Sequence, residues 1–117
     1  MSRNEWREEQ DWPLTEVTLG STTYTRDQCL TIMNEDIGNN GLIAIAQQEI
    51  AAKLNVANGA AHECIDKEMI QAELLIADLV VPPFGDGFIP LGNVQDLVND
   101  LARYNKGEDC CAEHCTL

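Results

Sequence analysis

Two clusters of side chains in this sequence have the types and spacing to do metal or thiol chemistry. His62 and Cys64 form the first; Cys110, Cys111, His114 and Cys115 form the second. Thiolates and imidazoles are zinc ligands, and a structural zinc site takes four of them. These six residues are therefore the candidate metal set. The tail spacings, adjacent cysteines and Cys-x3-Cys, differ from the usual Cys-x2-Cys knuckle. Zinc is accordingly the minor reading, and no cofactor is expected. Catalysis has thinner support. A nucleophilic cysteine needs a base and an oxyanion site, and two histidines lying near cysteines do not supply both. The chain has no Gly-x-Ser-x-Gly, no phosphate-binding glycine loop and no His-Glu-x-x-His. Gly85-Asp86-Gly87 lacks the alternating acids of a calcium loop and reads as a turn. The chain is expected not to be an enzyme. Phe84 and Phe88 flank that turn and Trp6 stands in a polar N-terminal stretch, so these three are the candidate contact aromatics.

The elements that must position these residues are mostly helical. Residues 1–11 read as a polar arm, residues 12–107 as a helical domain with a hairpin, and residues 108–117 as an acidic, Cys-rich tail. Val17-Thr18-Leu19 and Thr22-Thr23-Tyr24 flank Gly20-Ser21, a two-residue turn in which glycine supplies a positive φ. Thr25 with Gln28 is a capping box opening a first helix that carries Cys29, Leu30, Ile32 and Met33. An Asn from Gly38-Asn39-Asn40-Gly41 is expected to cap a second helix, 42–57. Its apolar stripe is Ile43, Ala46, Ile50, Leu54 and Ala57; Gln47, Gln48, Glu49 and Lys53 are assigned to its wet side. Asn58-Gly59 should stop it. A third helix reaches Leu79, with Ile65, Met69, Ala72, Ile76 and Leu79 inward, before Pro82-Pro83 forbids more. Asn93 with Asp96 should cap a fourth, ended by Lys106-Gly107. The fold expected is mainly α: a compact bundle of about four helices with a short N-terminal β-hairpin.

At 117 residues the chain makes one domain with its own core. Hydrophobic residues make up 44% and aromatics only 5%, so that core is aliphatic. Twenty acids against seven bases give a net charge of −13. Such a surface repels nucleic acid and anionic lipid, which are bound through Lys and Arg. It suits a basic protein partner, divalent cations or solubility alone. No apolar run spans a membrane. The polar start, Met1 to Glu9, is not a signal peptide. The chain is thus either a cytoplasmic protein or a mature or excised piece.

Several motifs bear on that choice. Trp12-Pro13, Val17-Thr18-Leu19-Gly20, Thr23-Tyr24-Thr25, Gly41-Leu42-Ile43, the run Ala51 to Ala60 and Tyr104-Asn105-Lys106-Gly107 occur in that order. Together they resemble a small helical domain of secreted bacterial surface proteins. That domain opens with Gly-Tyr-Trp-Lys-Asn-His and closes with Tyr-Asn-Asn-Gly and a terminal Cys. The opening motif is degenerate here: Trp6 stands for its Trp, but Arg7, Glu8 and Glu9 follow. The resemblance implies an extracellular or cell-surface setting and a non-catalytic structural or assembly module working through protein–protein contacts. The alternative is a cytosolic acidic inhibitor of phage or mobile-element origin that mimics nucleic-acid charge.

An extracellular setting would make disulfides the expected cysteine chemistry. Cys64 would pair with a tail cysteine, and Cys29 would be a buried thiol or a second bridge partner. Five cysteines leave at least one without an intrachain partner. Adjacent Cys110 and Cys111 should take different partners, since a bridge between them strains the peptide. The further expectation is a partly covalent homo-oligomer with Cys110, Cys111 and Cys115 at its interface.

Overall fold

The computed structural model describes residues 1–107; Cys110, Cys111, His114 and Cys115 lie outside the described residues. The chain is mainly helical with one short antiparallel hairpin, as the sequence leads one to expect. In order, the elements are α1 (Arg3–Glu8), β1 (Glu16–Leu19), β2 (Thr22–Thr25), α2 (Arg26–Met33), α3 (Gly41–Ala57), α4 (Asp66–Ile76), a 3-10 turn (Leu91–Asn93) and α5 (Gln95–Asn105). The helix beyond the anticipated four is α1. Ser2 and Glu5 form a complete capping box at its start.

Local sequence chemistry builds most of these elements. In the hairpin Val17 faces Tyr24 and Leu19 faces Thr22; alternation puts Val17, Leu19 and Tyr24 inside. Gly20 takes φ +61 at the turn. A side chain there would collide with the Ala77 carbonyl, because the hairpin tip abuts the end of α4. The Thr25–Gln28 box forms as expected, with Thr25 Oγ1 accepting from Gln28 N at 3.2 Å and Gln28 Oε1 from Thr25 N at 2.9 Å. Asn40 caps α3 through Leu42 N at 2.9 Å. It also donates to the Gly87 carbonyl at 3.0 Å, which ties the 84–90 loop to the start of α3. Gly87 is required there, since a Cβ would sit 2.6 Å from the Val80 carbonyl oxygen.

Helix α3 is the axis of the molecule. It packs against α1, α2, α4, α5 and β1, and it is buried nearly all round. This corrects the assignment of a wet side. Gln47 and Glu49 are fully buried, while Gln48 and Lys53 are half-buried. Gln47 is inside because α2 ends against it: its Nε2 donates to the carbonyls of Ile32 at 2.9 Å and Glu35 at 3.0 Å, groups left over at a helix C-terminus. Arg3 of α1 then donates to Gln47 Oε1 at 3.0 Å.

A second polar knot joins three helices. Asn55 of α3 accepts from Trp6 Nε1 at 2.9 Å and donates to Asn105 Oδ1 of α5 at 3.0 Å. Asn105 in turn donates to the Gln48 carbonyl at 2.9 Å. All of these polar groups have partners, so the knot fixes the relative placement of α1, α3 and α5.

Two boundaries differ from expectation. α4 stops at Ile76 rather than Leu79, because Ala77 leaves the helical region with φ 43 and ψ −117. That conformation is costly for a residue with a Cβ. Its carbonyl accepts from Ser21 N at 2.9 Å across the hairpin tip, which holds it there. Asn93 does not cap α5. A 3-10 turn occupies Leu91–Asn93, and Val94 takes the cap position without a side-chain hydrogen bond.

Candidate functional site

The inward face of α4 is largely the expected one: Ile65, Ala72 and Ile76 are buried and Met69 packs partly against the core. The opposite face is also apolar. Ile70 is 60% exposed, Leu74 73% and Leu75 43%. Leu74 stands one turn from Ile70 on the same stripe, and Leu75 lies round the helix on the α5 side of Leu74. Leu74 and Leu75 border a cleft of about 510 Å³ whose far wall is Val94, Leu97, Asp96 and Asp100, from the 3-10 turn region and α5. The patch is therefore rimmed with acid on that side. Glu73 and Asp78 border it on the other, near the hairpin tip. Scattered exposed leucines are ordinary, but a contiguous patch beside a cleft and with an ionised rim is the form of a contact surface.

On the Ile70 side of α4 lies a second cleft, about 340 Å³, between α3 and α4. Met69, Ile70 and Leu74 make its apolar wall, and Glu49, Lys53, Asp66 and Glu73 its polar one. Lys53 is paired with Glu73 and also bonded to the Thr18 carbonyl. Glu73 Oε2 accepts from Gly20 N at 2.5 Å, so the hairpin, α3 and α4 converge on this carboxylate. Glu49 lies beneath, 0% exposed; neither of its carboxyl oxygens accepts a hydrogen bond, and its own proton is directed at Glu73. Burial pushes its pKa up to about 8; the Lys53 charge opposes the rise and Glu73 adds to it. At neutral pH Glu49 is a buried, protonated acid. A buried polar group without a partner is costly, and such groups mark places where a ligand or function supplies what is missing.

The residues singled out in the sequence are dispersed. His62 and Cys64 lie on the α3–α4 connection, but among the described residues no group of three or more His, Cys, Asp or Glu could hold a metal ion. His62 is hydrogen-bonded through Nδ1 to Asp66 at 2.7 Å. That bond and the Asp66 charge raise its pKa. Cys64 is exposed and engaged rather than free. Cys29 is a free, buried thiol whose pKa burial pushes up to about 12, so it is inert as a nucleophile. Of the three contact aromatics, Trp6 is fully buried against Asn55 and Trp12 and offers no surface. Phe84 and Phe88 are exposed on the loop after Pro82-Pro83, with Phe84 leaning on Tyr24 at 6.2 Å between ring centroids.

Sequence reasoning missed both the α4 outer face and Glu49. For the first, the signal was present: Ile70, Leu74 and Leu75 are apolar residues left over once the inward stripe is assigned. For Glu49 there was none, because the α4 residues around it, Glu73 among them, are distant in sequence. No helix among the described residues is long and apolar enough to cross a membrane. Comparison with protein-family models, with curated proteins and with solved structures found no match.

Proposed function

We propose that this chain is a non-catalytic protein-contact module whose docking surface is the outer face of α4 with the cleft beside it. The observation that carries the reading is the exposure of Ile70, Leu74 and Leu75 on a helix whose other face is already committed to the core. Burying one such side chain fully contributes about 1.5–3 kcal/mol. The three together, already partly covered, could contribute on the order of 3–5 kcal/mol to an association. The rim of Asp96, Asp100, Glu73 and Asp78 favours a partner segment with apolar anchors flanked by Lys or Arg. A second copy fits this face poorly. A two-fold pairing sets a patch against itself, so acids would meet acids on a chain of net charge −13. The resemblance to secreted surface-protein domains supplies the proposed setting, assembly outside the cell. Self-association through tail cysteines would be a separate contact.

The test uses a defined probe: a helical peptide with leucines at i, i+3, i+4 and i+7 flanked by lysines, against a scrambled peptide of equal charge. Fluorescence anisotropy at low and high salt should show the patterned peptide binding more tightly than the scrambled one, with part of its affinity surviving salt. Leu74→Ser should weaken it about 5- to 30-fold, the loss of about 1–2 kcal/mol of apolar burial. Equal binding of both peptides, or no effect of Leu74→Ser, would refute the reading.

A further inference from the structure

We infer that the cleft between α3 and α4 is a receptor for a cationic side chain with an aliphatic stem, a lysine or arginine of the partner, seated against Met69 and Ile70 with its charge at Glu49 and Glu73. The inference rests on the proposed docking face, since Ile70 and Leu74 belong to both surfaces. Three observations support it. The cleft has the two-part chemistry of such a side chain: a mainly apolar wall and carboxyl-bearing residues within its lining. Its polar lining holds three carboxyl groups, Glu49, Asp66 and Glu73, against one base, Lys53, so carboxyls outnumber the cations that could pair with them. And Glu49 is completely buried with neither oxygen accepting a hydrogen bond, which makes it a built acceptor rather than one more surface acid. A divalent metal ion is the weaker occupant, because the described residues offer no group of three or more ligands arranged for one.

The charges facing the site come from each element around it. Lys53 projects from α3, Glu73 and Asp66 from α4, and the hairpin contributes the Gly20 N–H and the Thr18 carbonyl to Glu73 and Lys53. His62, on the connection, is held by Asp66. In the empty cleft Glu49 keeps its proton, because it is buried and shares the site with Glu73, to which Lys53 is already committed. When a second cation enters, Glu49 gives its proton to water and becomes the carboxylate that the cation requires. Binding therefore releases up to one proton near neutral pH, and affinity rises with pH until Glu49 is ionised without a ligand.

The experiment titrates n-butylammonium and n-butylguanidinium chloride into 15N-labelled full-length protein at pH 6 and pH 9, with sodium chloride at matched ionic strength as the control. The expected result is saturable amide shifts confined to residues around Glu49, Met69, Ile70 and Glu73 for at least one probe, stronger at pH 9. Glu49→Gln should weaken that binding tenfold or more and remove its pH dependence, while other amide signals stay in place. If Glu49→Gln does not fold, Glu73→Gln provides the second variant, with the same loss expected. No saturable shift from either probe, or shifts unchanged by the folded variant, would overturn the inference. The probes are too short to need Leu75 or the α5 wall. Failure here with intact peptide binding therefore sinks the cation receptor alone, and loss of peptide binding with intact probe binding sinks the docking face alone.

Discussion

Replacing Glu49 with Gln should change how stability depends on pH. In the folded chain Glu49 titrates at about 8 against an ordinary value of 4.5, chiefly because it is buried. A raised acid pKa means that, between those two values, the folded chain holds a proton that the unfolded chain has released. Stability is therefore greatest below about 4.5 and falls as pH climbs, with the fall complete only above about 8. Each pH unit of that interval is about 1.4 kcal/mol. The loss attributable to Glu49 is thus on the order of 5 kcal/mol at most, and water entering around an ionised Glu49 would reduce it. A glutamine has no proton to release, so this part of the slope disappears. Its buried amide carries a penalty that does not change with pH, about 1–3 kcal/mol where its groups find no partner. Urea unfolding of wild type and Glu49→Gln at pH 5, 7 and 9 reads the difference directly. The wild type should lose several kcal/mol relative to the variant between pH 5 and 9, so that the variant is the more stable protein at the alkaline end. Every other titratable group is common to the two proteins, so its contribution cancels in the comparison. Parallel stability curves would refute the reasoning, because they would mean that Glu49 is already ionised, hydrated or paired at pH 5.

Three other outcomes follow from the fold and the site. Asn55→Ala should cost about 2–4 kcal/mol in urea unfolding, because it leaves the Trp6 indole N–H without its acceptor and Asn105 Oδ1 without its donor in the core. Ala77→Gly should stabilise the chain by about 1 kcal/mol, since Ala77 holds a backbone conformation at φ 43 that glycine adopts without strain; an unchanged or lower melting temperature would contradict this. The His62 ring signals followed by NMR should titrate above the ordinary histidine value, and Asp66→Asn should bring the midpoint down, because Asp66 is the chief cause of the rise.

The sequence was most legible where structure is local. The Gly20-Ser21 turn, the Thr25–Gln28 box, the Asn40 cap and the Asn58-Gly59 stop each involve residues within a few positions of one another, and each formed as the pattern implies. The Ser2–Glu5 box of α1 was equally local, but six residues of helix gave no periodicity to support it. Tertiary structure overrode pattern elsewhere. Gln47 and Glu49 are polar residues on a helix, and nothing nearby indicates that α2 will end on one and that α4 will pack beside the other. Asn93 fails as a cap because Pro90 and Leu91 draw the chain into a 3-10 turn first. The candidate site lay in the same blind spot. Cysteines, histidines and aromatics attract notice in a sequence, while the surface that stands out in three dimensions is made of ordinary leucine and isoleucine. Asn55 and Asn105 fall within two of the stretches that carry the resemblance, and the structure gives those residues a physical role in joining α3 to α5.

The central claim is that the outer face of α4 is where this chain meets a protein partner. The most direct measurement maps amide and methyl shifts of the labelled protein as the patterned basic peptide is added. The account predicts the largest changes at Ile70, Leu74 and Leu75, continuing across the cleft to Val94 and Leu97, with the hairpin strands and the 84–90 loop little affected. Shifts centred on Phe84 and Phe88, or spread evenly over the acidic surface in proportion to charge, would contradict it.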